Sequence, residues 1–357
     1  MRVPLPPLEQ IQQITQRYGA RYLINPNVYD KIYDKLNLEA TYKDPSKLQI
    51  LDLYSGPGIQ SATFYNRYSP SQCVLMESRP QFLRFIQNNY TSDSSSSPLI
   101  LYPQDPYNWK SFINLIEKDK VLIPKKEPFE QVHDSFLITG NLTNHNNESL
   151  IMQWFACIGN QNWLQRFGRV KMLLWIPVST AIKLLAPLGS KNRSKMSVIG
   201  DTLTDINLIA ISNEKDLKKF DAVLLKNNHP LVFDGSDNKM MLQTVNHSNS
   251  NDSSNNSIVL LEITPKFIEL DFENWDYVTK HLMVLKRTKL TDAFDSLGHG
   301  SKDYFTSKIE DKDFLKKTPA DLDWKEFIHL TELFANWPFK PDIYMDFIDI
   351  LQEESSA

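Results

Sequence analysis

Short apolar runs recur along the first part of the chain and predict β-strands. The strand candidates are Gln49–Leu53, Cys73–Glu77, Leu99–Tyr102, Ser135–Thr139, Val170–Pro177, Leu208–Ser212 and Ile258–Ile263. Segments with apolar residues at helical spacing separate several of these runs, and they include Ser61–Tyr68, Pro80–Asn89 and Leu150–Gly159. Strands that alternate with helices are typical of parallel βαβ units, so the pattern predicts a doubly wound α/β domain.

The pattern changes after Pro265, where apolar residues recur at helical spacing. The two sets are Trp275, Val278, Leu282 and Leu285, then Trp324, Phe327, Leu330, Phe334 and Trp337. We expect the α/β domain over residues 1–270 and a small all-α C-terminal domain over 271–340. Two tracts dominated by Ser and Asn, 91–97 and 246–257, predict disordered insertions in the first domain, because they cannot bury apolar surface.

The last residues, 341–357, form an acidic C-terminal tail. The acids at positions 342, 346, 349 and 353 are spaced like one face of a helix, with apolar residues beside them. A packed helix, a mobile arm and a frayed terminus all fit this pattern. Because negative charge repels DNA, we do not expect the tail in a groove that holds the duplex.

The net charge of the 357 residues is −4, which does not by itself indicate nucleic-acid binding. The charge is segregated, however. Residues 149–200 contain no Asp or Glu, and their cations are Arg166, Arg169, Lys171, Lys183, Lys191, Arg193 and Lys195. The last three alternate, so an extended segment would present them on one face. We expect phosphate contacts from this acid-free block, with a merely solvated loop as the alternative.

Two cysteines, Cys73 and Cys157, exclude a disulfide framework and lack metal-ligand spacing, which favours a reducing compartment. The longest apolar run, 172–178, is too short to span a membrane. The N-terminal residues contain few arginines and include Glu9, unlike a cleavable presequence. The cytosol, the nucleus, or an organelle that imports proteins without a cleaved signal fits these features.

The loop after the first strand, residues 54–58, has the features of a nucleotide-cofactor loop. A doubly wound domain brings its backbone against a nucleotide-like ligand through an apolar strand, an acidic residue at its end and glycines in the next loop. Here the acidic residue is Asp52, and two glycines follow it. Such loops usually keep three small residues, but Tyr54 stands at the first position, where its side chain would occupy the ligand's space. The loop therefore predicts a cofactor-binding architecture whose cofactor has been lost.

Polar side chains follow four of the predicted strands, at Asp52, Glu77, Asp105 and Asn141. Glu77 lies nineteen residues past Gly58, where a carboxylate can bind the two hydroxyls of a ribose. Helix capping and turn formation are the alternative for each residue. Tyr107 and Trp109 follow Asp105 at the same sheet edge, where either ring could stack on an unpaired base. Burial of both rings in the core is the alternative.

At these positions the chain resembles the ribosomal RNA adenine dimethyltransferases. The similar segments are Gly19–Leu23, Leu51–Ser61, Glu77, Asp105, Gly140–Leu142 and Tyr277–Phe294. Further segments resemble one branch of that family, the fungal mitochondrial transcription factors B, and they are Lys171–Trp175, Asn274–Thr288, Asp295–Gly300 and Trp337–Phe347. The resemblance extends from about residue 19 to the C-terminus. It implies that the first domain has the class I methyltransferase-like (Rossmann-like) fold.

Three departures from the family's enzymes imply that methyl transfer has been lost. Active members carry Asn-Leu-Pro-Tyr, whose ring stacks on the flipped adenine, whereas residues 141–144 here are Asn-Leu-Thr-Asn. Ala20 and Arg21 replace the Gln and Asn of the N-terminal motif, and Tyr54 is the third departure. The resemblance implies a vestigial S-adenosylmethionine site formed by Leu23, Tyr54, Gly56, Glu77, Asp105 and Asn141. No cofactor is then required, although Glu77 and Asp105 leave residual binding open.

The resemblance also implies a function: a specificity factor for the single-subunit mitochondrial RNA polymerase. Such a factor assists promoter recognition and melting in the mitochondrial matrix, and this one lacks an evident cleavable presequence. The expected partners are the polymerase and the melted non-template strand of promoter DNA, with no membrane. The strand would be held by Tyr107, Trp109, Arg166, Arg169, Lys191, Arg193 and Lys195. The acidic tail would reach the polymerase or cover the basic surface. An active RNA-binding adenine N6-dimethyltransferase and a scaffold that binds only proteins are the alternatives.

Overall fold

The computed structural model describes residues 2–14, 19–91, 97–144, 147–233, 241–242 and 257–343. Most of the predicted insertions at 91–97 and 246–257, and the predicted tail from residue 344, lie outside the described residues. The described chain forms two compact units. The first comprises the residues up to Leu185 together with Leu203–Phe267, and the second comprises Ala186–Thr202 together with the residues from Ile268 onward.

The first unit contains a mixed eight-stranded sheet and a two-stranded sheet. The strands in chain order are β1 Tyr22–Leu23, β2 Gln49–Leu53, β3 Gln72–Met76, β4 Leu99–Tyr102, β5 Val132–Asn141, β6 Arg169–Pro177, β7 Thr204–Ile211, β8 Leu231–Val232, β9 Met241–Leu242 and β10 Ile258–Pro265. The large sheet has the order β4-β3-β2-β5-β6-β10-β7-β8, and β1 pairs with β9. Strand β10 is antiparallel to β6 and β7, while the other neighbours in the large sheet are parallel. This topology confirms the expected α/β fold class.

The register of the central strands determines where the polar strand ends meet. Leu53 at the end of β2 is level with Met76 of β3 and Gly140 of β5. Residues 50–53 are all buried, as expected for a strand covered on both faces by crossover segments. The seven predicted strands are all present. Strand β7 begins earlier than predicted because its polar first residues pair with the end of β10, where Thr264 lies opposite Asp205.

In chain order, the first ten α-helices are α1 Leu8–Gln12, α2 Pro26–Leu36, α3 Leu38–Thr41, α4 Ile59–Tyr68, α5 Pro80–Tyr90, α6 Trp109–Ile113, α7 Glu148–Gly159, α8 Val178–Leu184, α9 Lys195–Leu203 and α10 Ala222–Asn228. The three predicted helices correspond to α4, α5 and α7. Helix α4 follows Gly58, whose φ is 72°. A Cβ at this position would lie 3.1 Å from both Leu75 and Tyr90, so both the backbone and the packing favour glycine.

The second unit is helical, as predicted. Its further helices are α11 Phe272–Val284, α12 Leu290–Ala293, α13 Ser301–Lys308 and α14 Trp324–Ala335. The predicted apolar sets form its core, with Trp275 and Leu282 buried on α11 and Phe327 and Phe334 buried on α14. The ring of Tyr277 stacks on that of Phe334 at a centroid distance of 5.0 Å. None of the described helices of the chain is long and apolar enough to cross a membrane.

The division of the chain differs from the predicted one in one segment. The division between Phe267 and Ile268 lies close to the expected boundary at 270, whereas Ala186–Thr202, which we expected in the first domain, lies in the second compact unit. The Arg193 guanidinium donates to the Leu322 carbonyl (3.1 Å), and Lys286 Nζ donates to the Arg193 carbonyl (2.8 Å). These hydrogen bonds tie the segment to the helical unit. The composition along the chain does not indicate such a segment, which belongs to a different unit from the residues before and after it.

Candidate functional site

The loop after β2 bends through three residues with left-handed backbone, and φ is 56° at Tyr54, 58° at Gly56 and 72° at Gly58. A side chain makes this conformation cost about 1–2 kcal/mol, so Tyr54 is the unusual member. Its N–H donates to the Met76 carbonyl (3.0 Å), which fixes the loop on β3. A Cβ at Gly56 would lie 2.3 Å from the Tyr22 ring. The Tyr22 ring therefore fills the space beside Gly56.

Glu77, at the end of β3, is fully buried and already accepts hydrogen bonds from five N–H groups. Its Oε2 accepts from the Gly56 N–H (2.9 Å), and its Oε1 accepts from the main-chain N–H of Ser78 and of Arg79, each at 3.0 Å. The Arg79 side chain adds Nε at 2.7 Å and Nη2 at 2.5 Å. A carboxylate offers about four lone-pair directions. The predicted ribose-binding group therefore has its acceptor capacity used within the protein.

Arg79 is the residue at this site that sequence reasoning missed. Its guanidinium carbon lies 4.6 Å from the ring centroid of Phe82, 5.5 Å from that of Tyr22 and 5.6 Å from that of Tyr54. It also donates to the Tyr22 hydroxyl. The Arg79 side chain is largely buried and paired with Glu77, and it fills the predicted cofactor cleft. The residues present do not fit a nucleoside at this carboxylate, because Arg79 is already paired with Glu77 and the Tyr22 ring lies against Gly56.

Asp52 is buried beneath the loop, where two hydroxyls donate to its carboxylate. Ser61 Oγ lies 2.5 Å from Oδ2, and Thr139 Oγ1 lies 2.9 Å from Oδ1. Burial raises the pKa of Asp52 to about 6, against the opposing effect of the two hydroxyl hydrogen bonds. These contacts link α4 and β5 to the end of β2. Asp52 therefore has a structural role of the kind that strand-end acids often have.

Asn141, at the end of β5, is also satisfied within the protein. Its Nδ2 donates to the Arg21 carbonyl (2.7 Å), and its Oδ1 accepts from the Thr143 hydroxyl (2.7 Å). The Thr143 Oγ1 in turn accepts from the Arg21 N–H (2.7 Å). Leu23 is buried, and its carbonyl accepts from the Tyr29 hydroxyl (2.9 Å). The groups that would face a target amine instead anchor the N-terminal segment.

The turn after β4 presents one aromatic ring to solvent. Asp105 Oδ1 accepts from the Tyr107 N–H (2.9 Å) and from the Tyr54 hydroxyl (3.3 Å). Tyr107 is 55% exposed, so its ring is not part of the core. Trp109 is half-buried and packs edge-on against Trp163 at a centroid distance of 6.0 Å. Of the two predicted stacking residues, Tyr107 is therefore free to meet a base, while Trp109 also supports the fold.

In the folded chain, several cations of the acid-free block pair with carboxylates from outside the block. The ion pairs are Arg166–Glu117, Lys171–Glu262, Lys183–Glu148, Arg193–Asp201 and Lys195–Asp276. Arg169 donates to the main-chain carbonyls of Glu130 (2.8 Å) and Pro265 (3.1 Å). The local charge of the sequence block therefore overstates the positive potential of the surface.

The predicted phosphate-binding trio does not share a face. Arg193 is fully buried, and its guanidinium donates to Asp201 (2.7 Å) and to two main-chain carbonyls. A phosphate contact from Arg193 is therefore excluded. The alternation presupposes an extended segment, but residues 191–192 form a turn and Lys195 begins α9. Lys195 pairs with Asp276 (2.5 Å), and Lys191 is exposed.

One cluster of metal-ligand types occurs elsewhere in the described part of the chain, at Glu127, His133 and Asp134. Both ring nitrogens of His133 are engaged, because Nε2 donates to the Lys125 carbonyl (2.8 Å) and Nδ1 accepts from the Ser135 N–H (3.2 Å). Glu127 Oε2 accepts from the Asp134 N–H (3.1 Å). These hydrogen bonds brace the loop that carries the cluster.

Among known protein families, the model described as ribosomal RNA adenine dimethylase matches residues 11–332. A protein of Lachancea kluyveri named mitochondrial transcription factor 1 is 48% identical over 353 residues, which are 99% of each chain. The protein of the same name from Saccharomyces cerevisiae is 47% identical over 357 residues, the full length of both chains.

More distant similarities lie among methyltransferases. The mitochondrial dimethyladenosine transferase 1 of Bos taurus is 26% identical over 216 residues, which are 57% of this chain and 58% of that protein. The crystal structure of a dimethyladenosine transferase from Plasmodium falciparum superposes with a TM-score of 0.52 at 14% identity. The superposition covers 87% of this chain and 95% of that one, and it establishes a shared fold.

Proposed function

The chain belongs to the ribosomal RNA adenine dimethylase family, and we propose that it is a mitochondrial transcription initiation factor and not a methyltransferase. The Glu77–Arg79 pair carries the proposal, because it uses within the protein the carboxylate that would hold the cofactor's ribose. The relatives named mitochondrial transcription factor 1 match the whole chain at 47–48% identity. The dimethyladenosine transferase match is weaker and covers just over half of it.

The factor acts with the single-subunit mitochondrial RNA polymerase, which supplies the catalysis. Its place is the mitochondrial matrix, and it needs no cofactor. Its task is to assist promoter recognition and melting. A fold that holds a flipped base for chemistry can keep the nucleic-acid contact after the chemistry is lost.

The exposed ring of Tyr107 supports a contact with the melted non-template strand. Strand separation costs about 1.4 kcal/mol per base-pair step, and one base stacked on an aromatic ring recovers about 1–3 kcal/mol. Stacking on one or two rings therefore compensates for opening of one or a few steps. Among the predicted phosphate contacts, Lys191 is exposed, and Arg166, Arg169 and Lys195 are partly exposed.

Run-off transcription with the cognate polymerase tests the melting role. The templates are a duplex promoter and the same promoter with a pre-melted initiation region. Transcription from the duplex is expected to depend on this protein, and transcription from the pre-melted template much less so, because the opening cost has been removed. Equal dependence on both templates would show that the protein does not act at melting.

Calorimetry with S-adenosylmethionine separates this function from the enzymatic alternative. We expect no micromolar binding, because a nucleoside would have to displace Arg79 from Glu77. A methyl-incorporation assay on a ribosomal RNA hairpin, with an active dimethyladenosine transferase as the positive control, should give no signal above background. Clear binding together with methyl transfer would identify an active enzyme.

A scaffold that binds only proteins makes a different prediction. It leaves the crosslinking of promoter DNA unchanged when Tyr107 is replaced by Ala. The transcription factor loses crosslinking at the melted strand in the same variant. Tyr107 suits this comparison better than the predicted basic trio, because replacing the buried Arg193 would disturb the fold.

A further inference from the structure

Tyr54 has a conformation that requires an explanation beyond filling space. Its φ of 56° costs about 1–2 kcal/mol for a residue with a side chain, and glycine would avoid that cost. The structure holds Tyr54 on several sides. Its N–H donates to Met76, its carbonyl accepts from the Tyr22 hydroxyl (3.0 Å), and its ring lies 5.6 Å from the Arg79 guanidinium. The strained backbone is thus fixed, and it directs the phenol away from the loop.

The phenol of Tyr54 reaches the turn that carries the exposed ring. Its hydroxyl donates to Asp105 Oδ1 (3.3 Å), the same oxygen that accepts from the Tyr107 N–H (2.9 Å). Burial and the neighbouring Asp105 carboxylate raise the pKa of Tyr54 well above its usual value. The phenol therefore stays protonated at neutral pH and remains a donor. One carboxylate oxygen thus connects the loop after β2 to the backbone of Tyr107.

The turn is fixed on its other side as well. The Asn108 N–H donates to the Asp105 carbonyl (3.1 Å), and Asn108 Oδ1 caps α6 by accepting from the Lys110 N–H (3.0 Å). Pro106 is buried. The backbone around Tyr107 is therefore held in place while its ring is 55% exposed. A ring presented in this way binds a base with little loss of conformational entropy.

We infer that Tyr54 is a positioning residue for the strand contact: its hydroxyl holds Asp105, and Asp105 holds the turn that presents Tyr107 to an unpaired base. The inference rests on the proposed function and adds a role for the altered cofactor loop. The chain of contacts begins at the buried Glu77, which anchors Arg79, and Arg79 in turn supports the Tyr54 ring. The former cofactor site then serves as the foundation of a nucleic-acid contact.

A double-mutant cycle between Tyr54 and Tyr107 tests the inference on the full chain. The variants are Tyr54→Phe, Tyr107→Ala and the two combined, and the probe is a fluorescein-labelled single-stranded DNA of about 20 nucleotides in mixed sequence, a length that exceeds common site sizes. Fluorescence anisotropy at one fixed salt concentration gives the dissociation constants. Tyr54→Phe keeps the ring and the backbone and removes only the hydroxyl. The matched control is Tyr65→Phe, on α4 and outside this network.

The expected result is a coupled loss. Tyr107→Ala should weaken binding about 5- to 100-fold, the effect of one lost stacking contact. Tyr54→Phe should weaken it about 2- to 10-fold, the effect of one hydrogen bond, with a thermal midpoint close to that of the unmodified protein. In the Tyr107→Ala background, Tyr54→Phe should add no further loss. Tyr65→Phe should leave binding unchanged.

Other outcomes overturn the inference. An equal loss from Tyr54→Phe in both backgrounds would mean that Tyr54 acts independently of Tyr107. No loss from Tyr54→Phe would mean that its hydroxyl positions nothing; if the unmodified protein still binds the probe and is needed on duplex promoters, the proposed function stands. Failure of the unmodified protein to bind the probe, with no effect on transcription, would refute the proposed function itself.

Discussion

At the scale of single residues, Asp52 and Glu77 show two ways of burying a carboxylate. Asp52 has hydroxyl partners and no cation, and burial raises its pKa to about 6. Glu77 has Arg79 and a set of main-chain N–H groups. A carboxyl group buried among neutral partners is more stable in its protonated form, whereas a buried carboxylate that is paired with a cation depends on that cation for its stability. We therefore expect the stability of the fold to depend on pH through Asp52 and on the Arg79 cation through Glu77.

The raised pKa of Asp52 predicts a stability that falls as pH rises from about 4 to about 6. The folded state binds the proton more tightly than the unfolded state, so the contribution is full below the ordinary pKa of 3.8 and is lost above about 6. Two pKa units correspond to about 3 kcal/mol. Asp52→Asn removes this dependence. Urea unfolding should show the variant gaining about 2–3 kcal/mol relative to the unmodified protein between pH 4 and pH 7.

The control for that comparison is Asp303→Asn, at an exposed position on α13. Its difference in unfolding free energy from the unmodified protein should stay nearly constant across the same pH interval. A constant difference for Asp52→Asn as well would show that folding does not raise the pKa of Asp52.

Arg79→Ala should destabilise the protein by about 3–5 kcal/mol, because it leaves the Glu77 carboxylate buried without its cation. Denaturant unfolding measures the change. The double variant Glu77→Gln/Arg79→Met removes both charges and should recover much of the loss. If the single and double variants were equally unstable, packing of Arg79 against its aromatic neighbours would be the dominant contribution instead.

The sequence allowed the strand-end residues to be predicted, but not their partners. Asp52, Glu77 and Asn141 lie at one sheet edge because parallel strands of known order bring their carboxyl ends together. Arg79 lies only two residues beyond Glu77, yet its direction depends on the rings of Phe82 and Tyr22. Side-chain direction of this kind follows from tertiary packing, which a local pattern does not contain.

At the scale of elements, the segment 186–202 shows how charge patterns mislead. The alternation of its cations predicts one basic face, but hydrogen bonds from Arg193 and Lys286 tie the segment to the residues after α11 and to the turn before α14. Arg193 lies with its guanidinium among carbonyls and Asp201. An arginine surrounded by carbonyl oxygens is a structural crosslink between elements and no longer a surface charge.

Arg193→Ala should therefore lower the unfolding free energy by about 3 kcal/mol or more, because buried carbonyls and Asp201 lose their donor. Lys191→Ala, two residues away and exposed, should change it by less than about 0.5 kcal/mol. Thermal or urea unfolding of both variants measures the contrast. Equal small effects would mean that Arg193 is exposed in solution, as the sequence pattern predicted.

At the scale of the whole molecule, the fold that the family shares does not by itself determine the function. The fold class and the loop after β2 could be predicted from hydrophobic runs and glycines, whereas the strand order, with β10 antiparallel between β6 and β7, could not. In the proposed function, the residues that fill the cleft and the rings that reach solvent decide what the protein binds. Tyr107 is exposed and Trp109 is half-buried, although the two lie two residues apart in one polar segment. Trp109 packs against Trp163, whereas the Tyr107 ring is 55% exposed.

Tyr107→Ala should reduce transcription from a duplex promoter about 5- to 100-fold and leave a pre-melted promoter nearly unaffected, because one stacking contact of about 1–3 kcal/mol is lost at the opening step. Run-off assays with the cognate polymerase measure both templates. Ile123→Ala, at another exposed apolar residue, is the control and should change neither. A loss on both templates would place Tyr107 in a contact that persists after opening.

The pairing of Glu77 with Arg79 also bears on how the protein can evolve. Removing Arg79 exposes an uncompensated buried charge before it creates any room for a nucleoside, because the Tyr22 ring still lies against Gly56. Replacing Tyr22 alone opens space but leaves the carboxylate occupied. Neither substitution alone therefore gives both the space and the free carboxylate that a nucleoside would need. A cofactor site at this cleft would require several changes at once.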